Sequence, residues 1–148
     1  MLCKRKLQKE LKRITQFPPP GCSAGLKKGS LDHWTATIMG PPDTPYEGGI
    51  FKLDIKFPKD YPFSAPKVYF ETKVFHPNIS SSGEICLDIL KDQWAPCMGI
   101  ESILISLCSL LETPNPDDPL DASAANLYRT NKHEYEAKVR EYVRQHAM

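Results

Sequence analysis

A chain of 148 residues lies in the usual size range of one domain and is long enough to bury most of its apolar side chains in one core, so one domain over residues 1–148 is expected. Hydrophobic residues at 41% and charged residues at 25% exclude extensive disorder, and a net charge of +1 excludes a strongly basic nucleic-acid binder by overall field. No run approaches the roughly 20 apolar residues of a membrane span. Met1-Leu2-Cys3-Lys4-Arg5-Lys6 is followed by more charge, so neither a secretory signal nor a membrane partner is expected. The expected location is cytoplasmic and nuclear. Five cysteines (Cys3, Cys22, Cys86, Cys97, Cys108) form an odd set with no C-x-x-C pair, which predicts free thiols, not a disulfide framework or a zinc site. Asn78-Ile79-Ser80 matches the glycosylation pattern, a match without meaning off the secretory route.

Leu7, Leu11 and Ile14 recur at helical spacing among Lys and Arg, which predicts an amphipathic helix of about four turns that ends at Phe17-Pro18-Pro19-Pro20-Gly21. Residues 1–16 carry six Lys or Arg against Glu10 alone, so the charge is unevenly placed. Three segments then alternate in the strand sense: around Leu26, across Trp34-Ala36-Ile38, and through Phe51-Leu53-Ile55-Phe57. Val68-Tyr69-Phe70 is a short fourth run, and connections of this length favour an antiparallel meander. Residues 71–97 show little periodicity. Ile100, Ile103, Leu104, Leu107, Cys108 and Leu111 predict a buried helix, which Thr113-Pro114-Asn115-Pro116 must stop because proline disfavours helical geometry before it and lacks a donor. A short helix follows around 122–129. Asn131 with Glu134 reads as a capping box that opens a last helix with Tyr135, Val139, Tyr142 and Val143 on one face.

The chemistry is expected in the aperiodic stretch, since functional residues concentrate on loops fixed by a rigid scaffold. Beyond His76-Pro77-Asn78, Cys86 stands in Gly83-Glu84-Ile85-Cys86-Leu87-Asp88, a polar loop closing onto an apolar patch. A thiolate can hold an acyl group as a thioester, and an amide donor nearby can steady the oxyanion formed when an amine attacks it. Asn78 offers two N–H donors.

Five stretches, in order, resemble the ubiquitin-conjugating enzymes, and the likeness covers essentially the whole chain: residues 33–41 (His33 to Pro41), 43–51 (Asp43 to Phe51), 57–63 (Phe57 to Phe63), His76-Pro77-Asn78, and Ile85-Cys86-Leu87-Asp88-Ile89-Leu90. It is to the short, core-only members that the chain is most similar. The resemblance implies an α+β fold: an N-terminal helix, a four-stranded antiparallel meander sheet, the active-site loop, then the C-terminal helices. It implies that Cys86 accepts ubiquitin from a ubiquitin-activating enzyme that has already used ATP. The chain itself has no phosphate-binding glycine loop, and no cofactor or metal is expected. Transfer to lysine amines of protein substrates would follow with a RING-type, U-box or HECT-type ligase, giving polyubiquitination. A monomer is the default for this architecture.

The resemblance also assigns roles by position. Asn78 matches the asparagine credited with oxyanion stabilisation, and the alternative, an amide that holds the loop through backbone bonds, stands beside it. His76 is implied to be structural, packed beneath the loop. Asp118 matches an acidic gate that orients or desolvates the incoming lysine, with a turn aspartate as the plain alternative. Asp88 matches a residue that aids transfer from a closed ubiquitin arrangement, or is a solvated loop charge. Phe63 and Pro96 match two exposed loop positions gripped by ligases. Lys4, Arg5 and Lys9 match the basic face shared by activating enzyme and ligase. Ser23 matches a backside position where some members bind a second ubiquitin. Cys22, Cys97 and Cys108 are expected to be small buried hydrophobes.

The chain departs from the family at several places. Glu84 stands where a small polar residue is common, and a carboxylate there is expected to oppose thiolate formation, so that Glu84→Ser would speed loading modestly. Cys3, Lys6, Ala65, Cys97, Met98 and the run Asp121-Ala122-Ser123-Ala124 also depart, which bears on partner choice. Three other readings remain in view: a conjugating enzyme for a different ubiquitin-like modifier, an inactive ubiquitin-binding variant, and a cysteine hydrolase. The second lacks support because Cys86 is present. The third lacks a recognisable base among His33, His76, His133 and His146.

Overall fold

The computed structural model describes residues 3–148. Met1 and Leu2, the start of the stretch read as no secretory signal, lie outside the described residues. Helix α1 (Lys4–Gln16) buries Leu7 and Ile14 and half-buries Leu11, while Lys4, Arg5 and Lys9 are exposed. The Phe17 N–H caps it on the Arg13 carbonyl, and the three prolines that follow cannot extend the ladder.

Strands β1 (Cys22–Lys27), β2 (Ser30–Met39), β3 (Ile50–Lys56) and β4 (Lys67–Phe70) form one antiparallel sheet in the order β1-β2-β3-β4, the expected meander. Lys28 and Gly29 both take positive φ (53° and 74°) in the β1–β2 connection, the backbone that lets a two-residue hairpin follow the strand twist. Period-two alternation sends Trp34, Ala36, Ile38, Phe51, Leu53 and Ile55 inward. The register aligns Trp34 with Ile55 and Ile55 with Val68, so one row of apolar side chains runs across three strands.

Helix α2 (Ile100–Glu112) contributes Ile100, Ile103, Leu104, Leu107, Leu110 and Leu111 to the buried cluster that holds those sheet residues. It is bound to α1 through Glu10. One carboxylate oxygen of Glu10 accepts the Ile100 N–H at 2.7 Å, at the start of α2, and the other accepts the Tyr61 hydroxyl at 2.6 Å. An orphan first-turn N–H of α2 is thereby satisfied by a side chain 90 positions earlier.

Helices α3 (Ala122–Thr130) and α4 (Lys132–His146) share Asn131. Its backbone N–H closes α3 on the Leu127 carbonyl, and its Oδ1 accepts the Glu134 N–H at 3.2 Å to open α4. The expected capping box is therefore only half made. Because the Asn131 N–H is already spent on α3, Glu134 bonds the Asn131 side-chain amide instead. Tyr135, Val139 and Val143 are buried as expected, and the Tyr135 hydroxyl donates to the Tyr46 hydroxyl, which in turn donates to the Phe75 carbonyl at 2.7 Å. No helix among the described residues is long and apolar enough to cross a membrane.

Candidate active site

The segment from Val74 to Cys86 has no long ladder, and its shape comes from a few buried anchors. Ile79 pairs in single bridges with His76 and Ile85, and all three are buried. The Cys86 N–H donates to the Asn78 carbonyl at 2.9 Å, which fixes the cysteine to the His76-Pro77-Asn78 turn. Gly83, at φ +90°, lets the loop cross β4. The Phe70 N–H reaches its carbonyl at 2.9 Å, and a Cβ at Gly83 would lie 2.1 Å from the Phe70 oxygen.

His76 is fully buried. Its Nδ1 accepts the Asn78 N–H at 2.9 Å, so Nε2 carries the proton and donates to the Leu110 carbonyl at 2.8 Å. Burial pushes its pKa down to about 4, and the ring is neutral at physiological pH. Both ring nitrogens are occupied, and neither touches Cys86.

Asn78 is also fully buried, and all its amide capacity is spent on one neighbouring segment. Nδ2 donates to the Asn115 and Asp118 carbonyls at 2.7 and 3.1 Å, and Oδ1 accepts the Asn115 N–H at 2.8 Å. The Pro77 carbonyl accepts the N–H groups of Leu120 and Asp121. The stretch 115–121, which the prolines keep from forming a helix, is thus laid against the cysteine loop. Asn115 was not singled out in the sequence; an asparagine between two prolines is the only signal, and a weak one.

The clamp brings Asp118 to Cys86. The half-buried thiol donates to Asp118 Oδ2 at 3.2 Å, and on its other flank Lys91 Nζ lies 3.7 Å from Sγ. Burial raises the thiol pKa, the Asp118 hydrogen bond raises it further, and Lys91 pulls it down. The expectation for Glu84 is corrected here. Glu84 is exposed and lines the open groove between β4 and residues 90–94, and the carboxylate bonded to the thiol, which raises its pKa, is Asp118. Alkylation of Cys86 should therefore climb into the alkaline range. Asp118→Asn should move its midpoint down, Lys91→Gln up, and Glu84→Ser not at all, as read from iodoacetamide rates against pH.

Asp88 is not brought to the thiol. It is exposed and its Oδ1 accepts the Ile89 N–H at 2.8 Å, opening the short 3-10 turn Asp88–Leu90. Phe63 is 76% exposed and Pro96 is exposed on the neighbouring loop; Trp94 joins the two loops by donating its indole N–H to the Pro62 carbonyl at 2.8 Å. Ser23 is exposed on β1, its hydroxyl bonded to that of Thr37 on β2. Cys22 is buried and Cys108 half-buried, but Cys97 is exposed, because the turn closed by the Met98 N–H on the Ala95 carbonyl keeps it on the surface; the expectation of a buried thiol fails there.

A ubiquitin-conjugating enzyme family match spans residues 6–143, so it takes in every residue of this constellation. The chain belongs to the ubiquitin-conjugating enzyme family. The E2 domain of a Toxoplasma gondii ubiquitin conjugating enzyme is similar to it, with 42% identity and a TM-score of 0.92 over 98% of this chain and 99% of that one. The four helices and four-stranded antiparallel sheet are those of the ubiquitin-conjugating fold. Membership implies ubiquitin-conjugating transferase activity, with ubiquitin, activating enzymes and ligases as the general class of partners.

Proposed function

We propose that Cys86 accepts ubiquitin as a thioester from the activating enzyme and passes it to lysine amines on proteins, in company with a RING-type, U-box or HECT-type ligase, building polyubiquitin. The observation that carries this reading is a thiol on a fixed loop with a carboxylate at 3.2 Å, an ammonium at 3.7 Å and no histidine on the sulfur among the described residues. A hydrolase thiol needs a paired base to activate water. An acyl carrier needs the opposite: a thioester that survives until an amine is delivered. ATP is used by the activating enzyme, and the protein works without a cofactor of its own, in cytoplasm and nucleus.

Asp118 receives the incoming ammonium and draws its proton, Asn78 spends both N–H donors on holding the 115–118 segment that carries Asp118, so that service to the oxyanion would require one of those bonds to be exchanged, and His76 braces both from beneath. Asp88 contacts the carried ubiquitin. Lys4, Arg5 and Lys9 on α1 supply charge for steering partners, and Phe63 with Pro96 supplies the apolar grip. Ser23 marks the remote sheet face for a second ubiquitin.

The test is loading with activating enzyme and ATP on non-reducing gels, using ubiquitin beside a panel of ubiquitin-like modifiers, each with its own activating enzyme. A thiol-sensitive adduct with ubiquitin alone is expected. An adduct formed only with another modifier would transfer the reading to that modifier.

A further inference from the structure

Acyl transfer passes through an anion, first on the carbonyl oxygen and then on the departing sulfur, and that anion needs hydrogen-bond donors. Most donors around Cys86 are already spent. Both Asn78 Nδ2 hydrogens go to the Asn115 and Asp118 carbonyls, and the Asn78 backbone N–H goes to His76 Nδ1. On the cysteine loop the N–H groups of Cys86, Ile89, Leu90 and Lys91 are committed to Asn78, Asp88, Leu87 and Asp88 in turn. Among the described residues one N–H donor lies on the sulfur itself, the Lys91 ammonium, with Nζ 3.7 Å from Sγ. The local backbone sets it there. The Lys91 N–H closes the Asp88–Leu90 turn, the Trp94 N–H donates to the Lys91 carbonyl, and Trp94 is itself anchored on Pro62, so only the four-carbon stem of Lys91 is free to move.

We infer that Lys91 is a catalytic residue of the transfer step: its ammonium, and not the Asn78 amide, donates to the carbonyl oxygen as the amine attacks and to the Cys86 sulfur as it departs. This role presupposes the acyl-carrier reading above. In a loaded protein the carbonyl oxygen is two bonds from Sγ, so a donor 3.7 Å from the sulfur needs only a turn of its stem to reach the separation of about 2.7–3.1 Å at which oxyanion donors act. The step is redox-neutral. The incoming ammonium gives one proton to the Asp118 carboxylate, its nitrogen bonds to the carbonyl carbon, and the carbonyl electron pair moves to oxygen. That pair then returns, the carbon–sulfur bond breaks, the sulfur leaves as thiolate, and the nitrogen passes its second proton to solvent. Lys91 keeps its own proton throughout. A mobile cation with three N–H groups can follow the charge from oxygen to sulfur. Service by Asn78 would instead strip a partner from the Asn115 or Asp118 carbonyl, and so loosen the segment that carries the proton acceptor.

The experiment loads the full chain with ubiquitin, quenches the activating enzyme, and follows single-turnover loss of the thioester against the concentration of free lysine. Lys91→Met keeps the length of the stem and loses the charge and the donors. Its maximal discharge rate per thioester loaded should fall at least about tenfold, short of the roughly 10²–10³ that an enclosed oxyanion donor is worth, because Lys91 is exposed to water. The KM for lysine should stay within about twofold, the signature of an interaction made only in the transition state, and thermal denaturation should not move. Lys91→Arg, which restores charge and N–H groups, should keep at least about a third of the rate. An unchanged maximal rate in Lys91→Met, an equal loss in Lys91→Arg, or a change confined to KM would overturn the inference and leave the carrier reading intact. So would a defect in loading alone, which would restrict Lys91 to the free thiol. Failure of the unaltered chain to form a thioester with ubiquitin or another modifier would instead overturn the carrier reading, and this role with it.

Discussion

Replacing Cys86 with serine is expected to turn the thiol-cleavable adduct into a thiol-resistant oxygen ester, and replacing it with alanine to abolish both. The serine change is nearly isosteric at a half-buried site, so the fold should hold and the change should be chemical. A hydroxyl ionises far less readily than a thiol, and among the described residues no histidine contacts this position: His76 is neutral and committed to Asn78 and Leu110, and the group on the sulfur is the weakly basic carboxylate of Asp118. The resulting ester is a poorer acyl donor to amines than a thioester. Discharge to lysine should drop by roughly 10²-fold or more, the span that a missing activating group costs. Non-reducing gels with and without thiol give the readout. A serine variant that still built a cleavable adduct would place the carrier on another cysteine, with the exposed Cys97 and Cys3 first to be replaced.

Asn78→Ala carries the second large effect, and the effect should be shared between stability and transfer. The substitution strips partners from the Asn115 carbonyl and N–H and from the Asp118 carbonyl. Each such group left unpaired in a buried setting costs about 1–3 kcal/mol, reduced where water can enter. The 115–121 segment should loosen and Asp118 should leave the thiol. Thermal denaturation should show the loss, and single-turnover discharge to free lysine should fall with it. Combining Asn78→Ala with Asp118→Ala should then slow discharge by much less than the product of the single effects, because the first change has already misplaced the second residue. Asn78→Asp should be worse than alanine for stability, since a carboxylate would face two carbonyls. Slow discharge with unchanged stability and full multiplicativity would assign Asn78 to the oxyanion alone.

The elements of the fold were legible because each has a strong period. Alternation through Phe51-Leu53-Ile55 and the stripe from Ile100 to Leu111 require only that apolar side chains find one core. The half-made capping box was not legible, because two helices compete for one Asn131 N–H, a conflict that exists only once α3 ends where it does. At the site, Cys86, Asn78 and Asp118 were readable from the resemblance, but not that the Asn78 amide would be fully committed to residues 37 and 40 positions away. Glu84 was given the role that Asp118 holds, because the carboxylate bonded to the thiol comes from 32 positions away and no local spacing reports it. Lys91 was missed for the complementary reason: a 3-10 turn returns the chain on itself, and no spacing rule reports that.

The cross-link between Glu10 and the start of α2 sets a fixed length scale. That helix is held by α1 at the Ile100 N–H, and ten residues later its Leu110 carbonyl holds His76, the brace of the cysteine loop. The two anchor points are separated by helix rise alone, about 15 Å at 1.5 Å per residue. The basic face of α1 and the reactive sulfur are thus keyed to opposite ends of one stiff strut. Any protein that seats on that face meets the sulfur at the same offset, so differences in the reach of partners must be taken up by the partners themselves.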